Sequence, residues 1–227
     1  MKTRKNCFIA LLMMSSVMLV GQVRMPVITF SPPYANDLPL DKKYINENFH
    51  DYEDIDGSPY LNSEFVNGTF YVKDTVAIKH PIRYNLYTDQ MEYQSEGINY
   101  FVGSPQSLSR IVLGESVFIY LPFIEKGGYF ELFEPGKCKL VQKRKVIFRH
   151  SETKPIEGLI KSSYERIPDV FYLVNNQNQT FRVVNMNSVM NAMQDQKLKI
   201  ETFIKQEKIR NTKKDNLIKI VKYYNSL

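Results

Sequence analysis

The sequence predicts an α+β protein in which a mainly antiparallel β-sheet, built as a sandwich or half-barrel, is followed by a C-terminal helical tail. Short runs of β-branched and aromatic residues fill the middle of the chain, and glycines separate them as they separate antiparallel strands. Towards the C-terminus the apolar residues change from a period of two to a period near four. Strands followed by helices are typical of the α+β class.

The individual strands are predicted from alternation and from turn residues. Residues 82–87 alternate between apolar and polar faces, so one face should be core. Residues 117–121 are apolar on both faces, which is typical of a central strand. Pro135 and Gly136 lie where a tight turn needs them and predict a hairpin. The predicted strands are 69–73, 82–88, 90–94, 99–102, 116–123, 129–133, 138–148 (bent or broken), 170–175 and 179–184.

Two or three helices are predicted in the tail. Asn187 or Ser188 can cap a short helix, and Ile200, Phe203 and Ile204 share one face of a second helix. Thr212 and Asp215 resemble a capping box before a third helix. An additional short helix is predicted over 157–164, within a polar segment. Isolated helices of this length are marginal in water, so the apolar faces of the tail helices should pack on the sheet.

The N-terminus has the features of a secretory signal peptide, residues 1–21. A basic start precedes the uncharged apolar run 8–20, which is shorter than the ~20 residues that span a bilayer. Cleavage after Gly21 is the preferred interpretation, with an uncleaved signal anchor as the alternative. We expect an exported chain, in the periplasm or at the outer surface, whose mature part does not span the membrane. The predicted domains are a strap or linker (22–56), an antiparallel β domain (57–185) and a helical tail (186–227).

Charge is distributed unevenly along the mature chain. Residues 22–136 carry 8 basic and 16 acidic side chains, whereas residues 137–227 carry 19 and 8. Either the two segments pack together and neutralise each other, or the basic tail forms a surface for an anionic partner. Nucleic acid is not an expected partner, because no recognition motif accompanies the charge. Removal of Cys7 with the signal leaves Cys138 alone, so no intramolecular disulfide is expected, and Cys138 should be a small buried residue.

No catalytic motif has the spacing that a known chemistry needs. We therefore predict neither catalytic residues nor a cofactor, although a hydrolase with an unrecognised site remains an alternative. The three histidines are far apart in sequence, which does not favour a metal site. A weak metal candidate is the acidic loop before Gly57, which does not fit the frame of a calcium loop. Its carboxylates are Asp51, Glu53, Asp54 and Asp56.

Aromatic residues provide the candidate binding site. The chain holds 15 Tyr and 14 Phe, and several recur on neighbouring predicted strands. Some of them should form an exposed face suited to a protein or glycan partner. The candidates are Tyr84, Tyr87, Tyr93, Phe118, Tyr120 and Tyr129. As an alternative, a curved sheet encloses an apolar ligand in a cavity lined by residues such as Phe118, Tyr120 and Phe130.

Residues 57–61, Phe65, Gly68 and 81–85 resemble the start of a family of exported β-rich proteins of the Gram-negative bacterial envelope to which no activity is assigned, and residues 203–205 with 223–225 are similar to the helical tail of that family. The resemblance implies an envelope location and no particular chemistry. The leading hypothesis is a non-catalytic exported binding or scaffolding protein with a protein or glycan partner in the envelope. The carrier of an apolar ligand is the second hypothesis and the hydrolase the third.

Overall fold

A computed structural model describes residues 55–154 and 158–227 of the protein. The predicted signal peptide and the strap as far as residue 54 lie outside these ranges. The strands of the described part are β1 (Val66–Val72), β2 (Val76–Asn85), β3 (Gln90–Ser95), β4 (Ile98–Phe101), β5 (Leu108–Leu113), β6 (Ser116–Tyr120), β7 (Tyr129–Glu134), β8 (Cys138–Lys143), β9 (Val146–Arg149), β10 (Glu152–Lys154), β11 (Gly158–Ile160), β12 (Ser163–Arg166), β13 (Val170–Asn175) and β14 (Thr180–Arg182). The helices are α1 (Met186–Ala192), α2 (Lys197–Gln206) and α3 (Lys214–Ser226).

Ten of these strands form one antiparallel sheet in the order β14-β13-β8-β7-β6-β5-β1-β2-β3-β4. The edge strands β14 and β4 are not paired with each other, so the sheet is open. Two ribbons stand apart from it, β9 with β12 and β10 with β11. The predicted fold class, an antiparallel sheet followed by a helical tail, is therefore confirmed. Strand β6 occupies the central position that its two apolar faces predict.

The sheet is strongly curled. Five strand spacings separate β2 from β8, which in a flat sheet is roughly 24 Å at about 4.8 Å per strand. Yet the carboxylate of Asp89, in the β2–β3 turn, lies 2.6 Å from the ammonium nitrogen of Lys143 at the end of β8. Only a sheet that curls on itself brings these two side chains together. Of the two predicted forms, the half-barrel is the one observed.

Aromatic side chains fill the inside of the curl and form the aromatic core. The ring of Tyr84 meets the rings of Phe118 and Tyr129 edge to face, with centroids 5.3 and 5.8 Å apart. Edge-to-face pairs of this kind stabilise a core beyond the area that they bury. The core is completed by Phe70, Ile82, Met91, Tyr93, Ile111, Leu113 and Val146, each 5% exposed or less.

Aliphatic side chains form a separate helical core where the tail packs on the other end of the sheet. Leu140 of β8 and Leu173 of β13 are fully buried. The helices contribute Val189, Met193, Ile200, Leu217, Ile220 and Val221 to the same cluster. The prediction that the tail packs on the sheet is confirmed. A third cluster lies on the opposite face of β7 and β8 from Tyr129 and Leu140. It contains Leu121, Ile124, Phe130, Val141, Tyr172 and Val174.

Asn225, near the end of α3, fixes the tail to the β7–β8 hairpin. Its side chain accepts a hydrogen bond from the Cys138 N–H at 2.9 Å and donates to the Cys138 and Pro135 carbonyls, also at 2.9 Å. Gly136 has φ 135°, and a Cβ there would overlap the Asn225 amide. Glycine is therefore required both by the backbone conformation and by the close approach of the helix.

Several local predictions were wrong. The predicted helix over 157–164 is absent from its described part, where β11 and β12 run instead; Tyr164 of β12 pairs with Phe148 of β9. Strand β5 was not predicted, although it lies in the middle of the sheet. Pairing with neighbours that are distant in sequence decides both segments, and local pattern does not contain that information. The predicted break in 138–148 is confirmed as the gap between β8 and β9.

The helix caps also differ from the predictions. Asn185, not Asn187 or Ser188, caps α1, and it forms a reciprocal capping box in which Ser188 is the third helical residue. Helix α3 starts at Lys214, and its cap residue, Lys213, makes no side-chain capping bond. Thr212 therefore does not cap it. The Asn211 side chain accepts a bond from the Lys213 N–H at 3.1 Å and orders the approach to the helix.

Candidate functional site

A partly exposed cluster of aromatic rings is formed by Tyr87, Phe148, His150 and Tyr164, which we call the aromatic patch. Tyr87 lies in the β2–β3 turn and is 48% exposed. Its ring lies 5.5 Å from that of Tyr164, which in turn lies 5.0 Å from Phe148. His150 packs perpendicular to Phe148 at 4.9 Å. The patch therefore joins the turn to the β9–β12 ribbon.

Hydrogen bonds hold the turn that carries Tyr87 in one conformation. The buried Asn85 side chain accepts from the backbone N–H groups of Tyr87 and Thr88, both at 3.1 Å. The Pro59 carbonyl accepts from Leu86 at 2.7 Å and from Tyr87 at 3.3 Å. An exposed side chain on a fixed backbone loses little conformational freedom when it binds a partner, which favours affinity.

The ribbon side of the patch is anchored by the segment before β1. The Tyr164 N–H donates to the Asp56 carbonyl at 2.8 Å, and the Asp56 N–H donates to the Ser162 carbonyl at 3.1 Å. Gly57 has φ 82°, and a Cβ there would overlap the Tyr164 carbonyl. Burial, with a smaller contribution from Tyr87, raises the pKa of the Tyr164 hydroxyl.

Charged side chains lie on the same ribbon as Phe148 and Tyr164. Arg149 and Glu165 form an exposed ion pair, and the exposed Arg166 donates to the Leu61 carbonyl at 3.1 Å. Aromatic residues and Arg are both enriched in protein–protein interfaces. The combination of flat rings and hydrogen-bonding side chains also suits a sugar.

Of the six predicted binding residues, four are core residues. Tyr84, Tyr93, Phe118 and Tyr129 are between 1% and 5% exposed and belong to the aromatic core, so they do not form the expected exposed face. Tyr120 is partly buried against the same core, and Tyr87 alone among the six lies in the patch. The curl explains the difference, because it turns what would be an open face of a flat sheet into the inside of a half-barrel.

The residues suggested for a carrier cavity do not lie on one face. Phe118 pairs with Glu131, and the next residue of β6, Ile119, pairs with Phe130. Because successive residues of a strand point to opposite faces, Phe118 and Tyr120 lie on one side of the sheet and Phe130 on the other. They belong to two different clusters, so these three side chains cannot line a single cavity.

The weak metal candidate falls mostly outside the described residues, which include Asp56 but not Asp51, Glu53 or Asp54. Within the described ranges, no group of three or more His, Cys, Asp or Glu side chains could hold a metal ion. His80 faces the Gln94 carbonyl at 3.0 Å and packs on Tyr93. Cys138 is fully buried, as predicted, and burial raises its pKa to about 12.

The acidic and basic segments do meet. Within the described ranges, three ion pairs join residues before position 137 to residues after it: Asp89 with Lys143, Glu131 with Arg144, and Glu134 with Lys222. The Glu131 carboxylate is nearly buried and also accepts a bond from the Ser116 hydroxyl at 2.7 Å. Many tail lysines, such as Lys199, Lys205 and Lys219, remain exposed. Charge counts along the sequence indicate that the two segments can attract each other, but they do not identify which side chains form these ion pairs.

The chain matches no family model, and neither a curated protein nor a solved structure shows significant similarity to it. Its resemblance to an envelope family therefore stays a prediction. Among the described helices, none is both long and apolar enough to cross a membrane.

Proposed function

We propose that this protein is a non-catalytic exported binding or scaffolding protein that holds a protein or glycan partner of the bacterial envelope on its aromatic patch. The signal-like N-terminus and the family resemblance support export to the envelope. The patch supports a binding role. No relative contributes to this proposal.

The exposure of Tyr87 is the observation that carries the proposal. Its ring is 48% exposed although it already contacts two other aromatic rings. A tyrosine that served only to fill the core would be covered, as Tyr84 and Tyr129 are. Rigid aromatic anchors surrounded by polar groups are typical of the residues that dominate binding energy at interfaces.

Site-specific photo-crosslinking in the native envelope tests the proposal. A photoreactive phenylalanine analogue replaces Tyr87 in one version of the chain and Val184, which is 71% exposed outside the patch, in a control. We expect a discrete adduct from position 87 and none from position 184. A protein partner gives an adduct that protease removes, and a glycan gives one that glycosidase shortens. No adduct at position 87, or the same adduct from both positions, contradicts the proposal.

A second pair of variants tests whether the side chain contributes affinity. Tyr87→Ser should reduce recovery of the crosslinked partner at least tenfold when the photoreactive group is moved to position 148. Val184→Ser should leave that recovery unchanged. Circular dichroism of both variants verifies that the sheet is intact.

A further inference from the structure

Asp89 and Lys143 form a partly buried contact between distant parts of the chain. Asp89 lies in the β2–β3 turn with φ 57°, in the left-handed region. Lys143 ends β8, and its Nζ atom lies 2.6 Å from Asp89 Oδ2. The two side chains are 27% and 14% exposed. Fifty-four residues of chain separate them, so the contact closes the curl of the sheet.

Two neighbouring residues pack closely against this contact. Gly128 is buried directly against it, and a Cβ at that position would overlap both the Asp89 carboxylate and the Lys143 ammonium group. The ring of Phe130 lies 4.9 Å from Lys143 Nζ. Burial lowers the pKa of Lys143, although the neighbouring Asp89 opposes this shift. Burial of the ammonium group favours its neutral, nucleophilic form.

Two hydrogen-bond donors are directed at the other oxygen of the same carboxyl group. The Tyr84 hydroxyl donates to Asp89 Oδ1 at 2.5 Å, and the Tyr129 N–H approaches that atom at 3.4 Å. Lys143 Nζ is itself positioned by a bond to the Tyr129 carbonyl at 3.1 Å. This arrangement holds the Lys143 nitrogen in contact with one oxygen of the carboxyl group and places donors at the other oxygen, where negative charge develops during attack.

We infer that Lys143 and Asp89 join in an intramolecular isopeptide bond. A proton passes from the Lys143 ammonium to Asp89 Oδ2, and the neutral Nζ then attacks Asp89 Cγ. The negative charge that develops on Oδ1 is stabilised by the Tyr84 hydroxyl and the Tyr129 N–H. The Cγ–Oδ2 bond breaks, and Oδ2 leaves as water with a second proton from Nζ. One ammonium and one carboxylate thus give one amide and one water, with no oxidant or cofactor.

Such a bond supplies a covalent closure that the sequence does not otherwise allow. After the predicted loss of Cys7, Cys138 is the sole remaining cysteine. A cross-link between Asp89 and Lys143 closes a long loop and removes conformational entropy from the unfolded chain, as a disulfide does. It also fixes the turn that carries Tyr87, two residues before Asp89.

Intact mass spectrometry of the denatured full chain tests the inference. We expect a mass one water below that calculated from the sequence and the observed N-terminus. Tandem spectra should contain a branched peptide that joins Asp89 to Lys143, and trypsin should not cut after Lys143. A full calculated mass, for the protein taken from the envelope and for the protein refolded in vitro, overturns the inference and leaves an ion pair in its place.

Matched variants show which residues take part in forming the isopeptide bond. Lys143→Arg and Asp89→Ala should each restore the full mass expected for the altered sequence. Lys139→Arg, on the same strand, should keep the loss of one water. Tyr84→Phe should slow the appearance of the branched peptide at least tenfold after refolding. Loss of water that persists in Lys143→Arg shows that another pair of residues reacts, and so overturns the assignment.

Discussion

The helical core and the aromatic core stabilise the two ends of one sheet by different means. At the helical end, aliphatic side chains such as Leu217 and Leu140 are fully buried between α3 and β8. At the curled end, aromatic rings meet edge to face, and buried polar groups lie beside them. Glu131, which is 6% exposed, pairs there with Arg144.

This contrast concerns specificity as well as stability. Aliphatic burial is non-directional, so the helical end tolerates changes in shape that keep the volume. A buried carboxylate is different, because removing its partner leaves an uncompensated charge. We therefore expect the curled end to depend on individual hydrogen bonds and on pH, and the helical end to depend mainly on the area that it buries.

The largest effect should come from the helical core. Leu217→Ala removes a fully buried side chain from α3, and it should lower the free energy of unfolding by about 2–5 kcal/mol. Leu198→Ala makes the same change on α2 at a position that is 78% exposed. It should change the free energy of unfolding by no more than about 0.5 kcal/mol. Urea unfolding followed by circular dichroism measures both. Equal effects would show that the tail is not docked on the sheet.

The second-largest effect should come from Arg144→Met at the curled end, which removes the partner of the buried Glu131 carboxylate. Arg144→Met leaves Glu131 with the Ser116 hydroxyl as a donor, and it should cost roughly 2–3 kcal/mol of stability, since Arg144 is partly exposed. Arg149→Met breaks the ion pair between Arg149 and Glu165, in which the side chains are 61% and 45% exposed. It should cost less than about 1 kcal/mol of stability. The same urea titration compares them, and a cost for Arg149→Met equal to that for Arg144→Met contradicts the burial argument.

The smallest effect at neutral pH should come from Tyr129→Phe. The Tyr129 hydroxyl is buried and has no hydrogen-bond partner among the described residues. Its removal should therefore be neutral, or stabilise the protein by up to about 1 kcal/mol.

At alkaline pH, the stability of Tyr129→Phe should differ from that of the wild type. Burial, and secondarily Asp89, raises the pKa of Tyr129 above its usual value of about 10. The unfolded chain then loses the proton first, so wild-type stability falls as pH rises above about 10. Tyr129→Phe should lose less stability in that range. Urea midpoints at neutral and alkaline pH test this, and parallel curves for the two proteins contradict it.

Periodicity and turn chemistry determined much of the architecture. The alternation of Ile82, Tyr84 and Leu86 indicated a strand with one core face, and all three are buried. Pro135 and Gly136 indicated the β7–β8 hairpin, and the apolar spacing of Ile200, Phe203 and Ile204 indicated the helix that is observed as α2. These are local signals, because side-chain direction repeats every two residues in a strand and about every four in a helix.

Only the tertiary structure decided what the aromatic residues do. A period of two separates the faces of a strand, but it does not show which face lies inside a curl. Tyr84 and Tyr87 both looked suitable for a binding surface, yet one is 1% and the other 48% exposed. The contact of Asp89 with Lys143 joins a turn and a strand that are distant in sequence. Strand order and curvature fix such pairs, since they depend on the path of the whole sheet and not on any one segment.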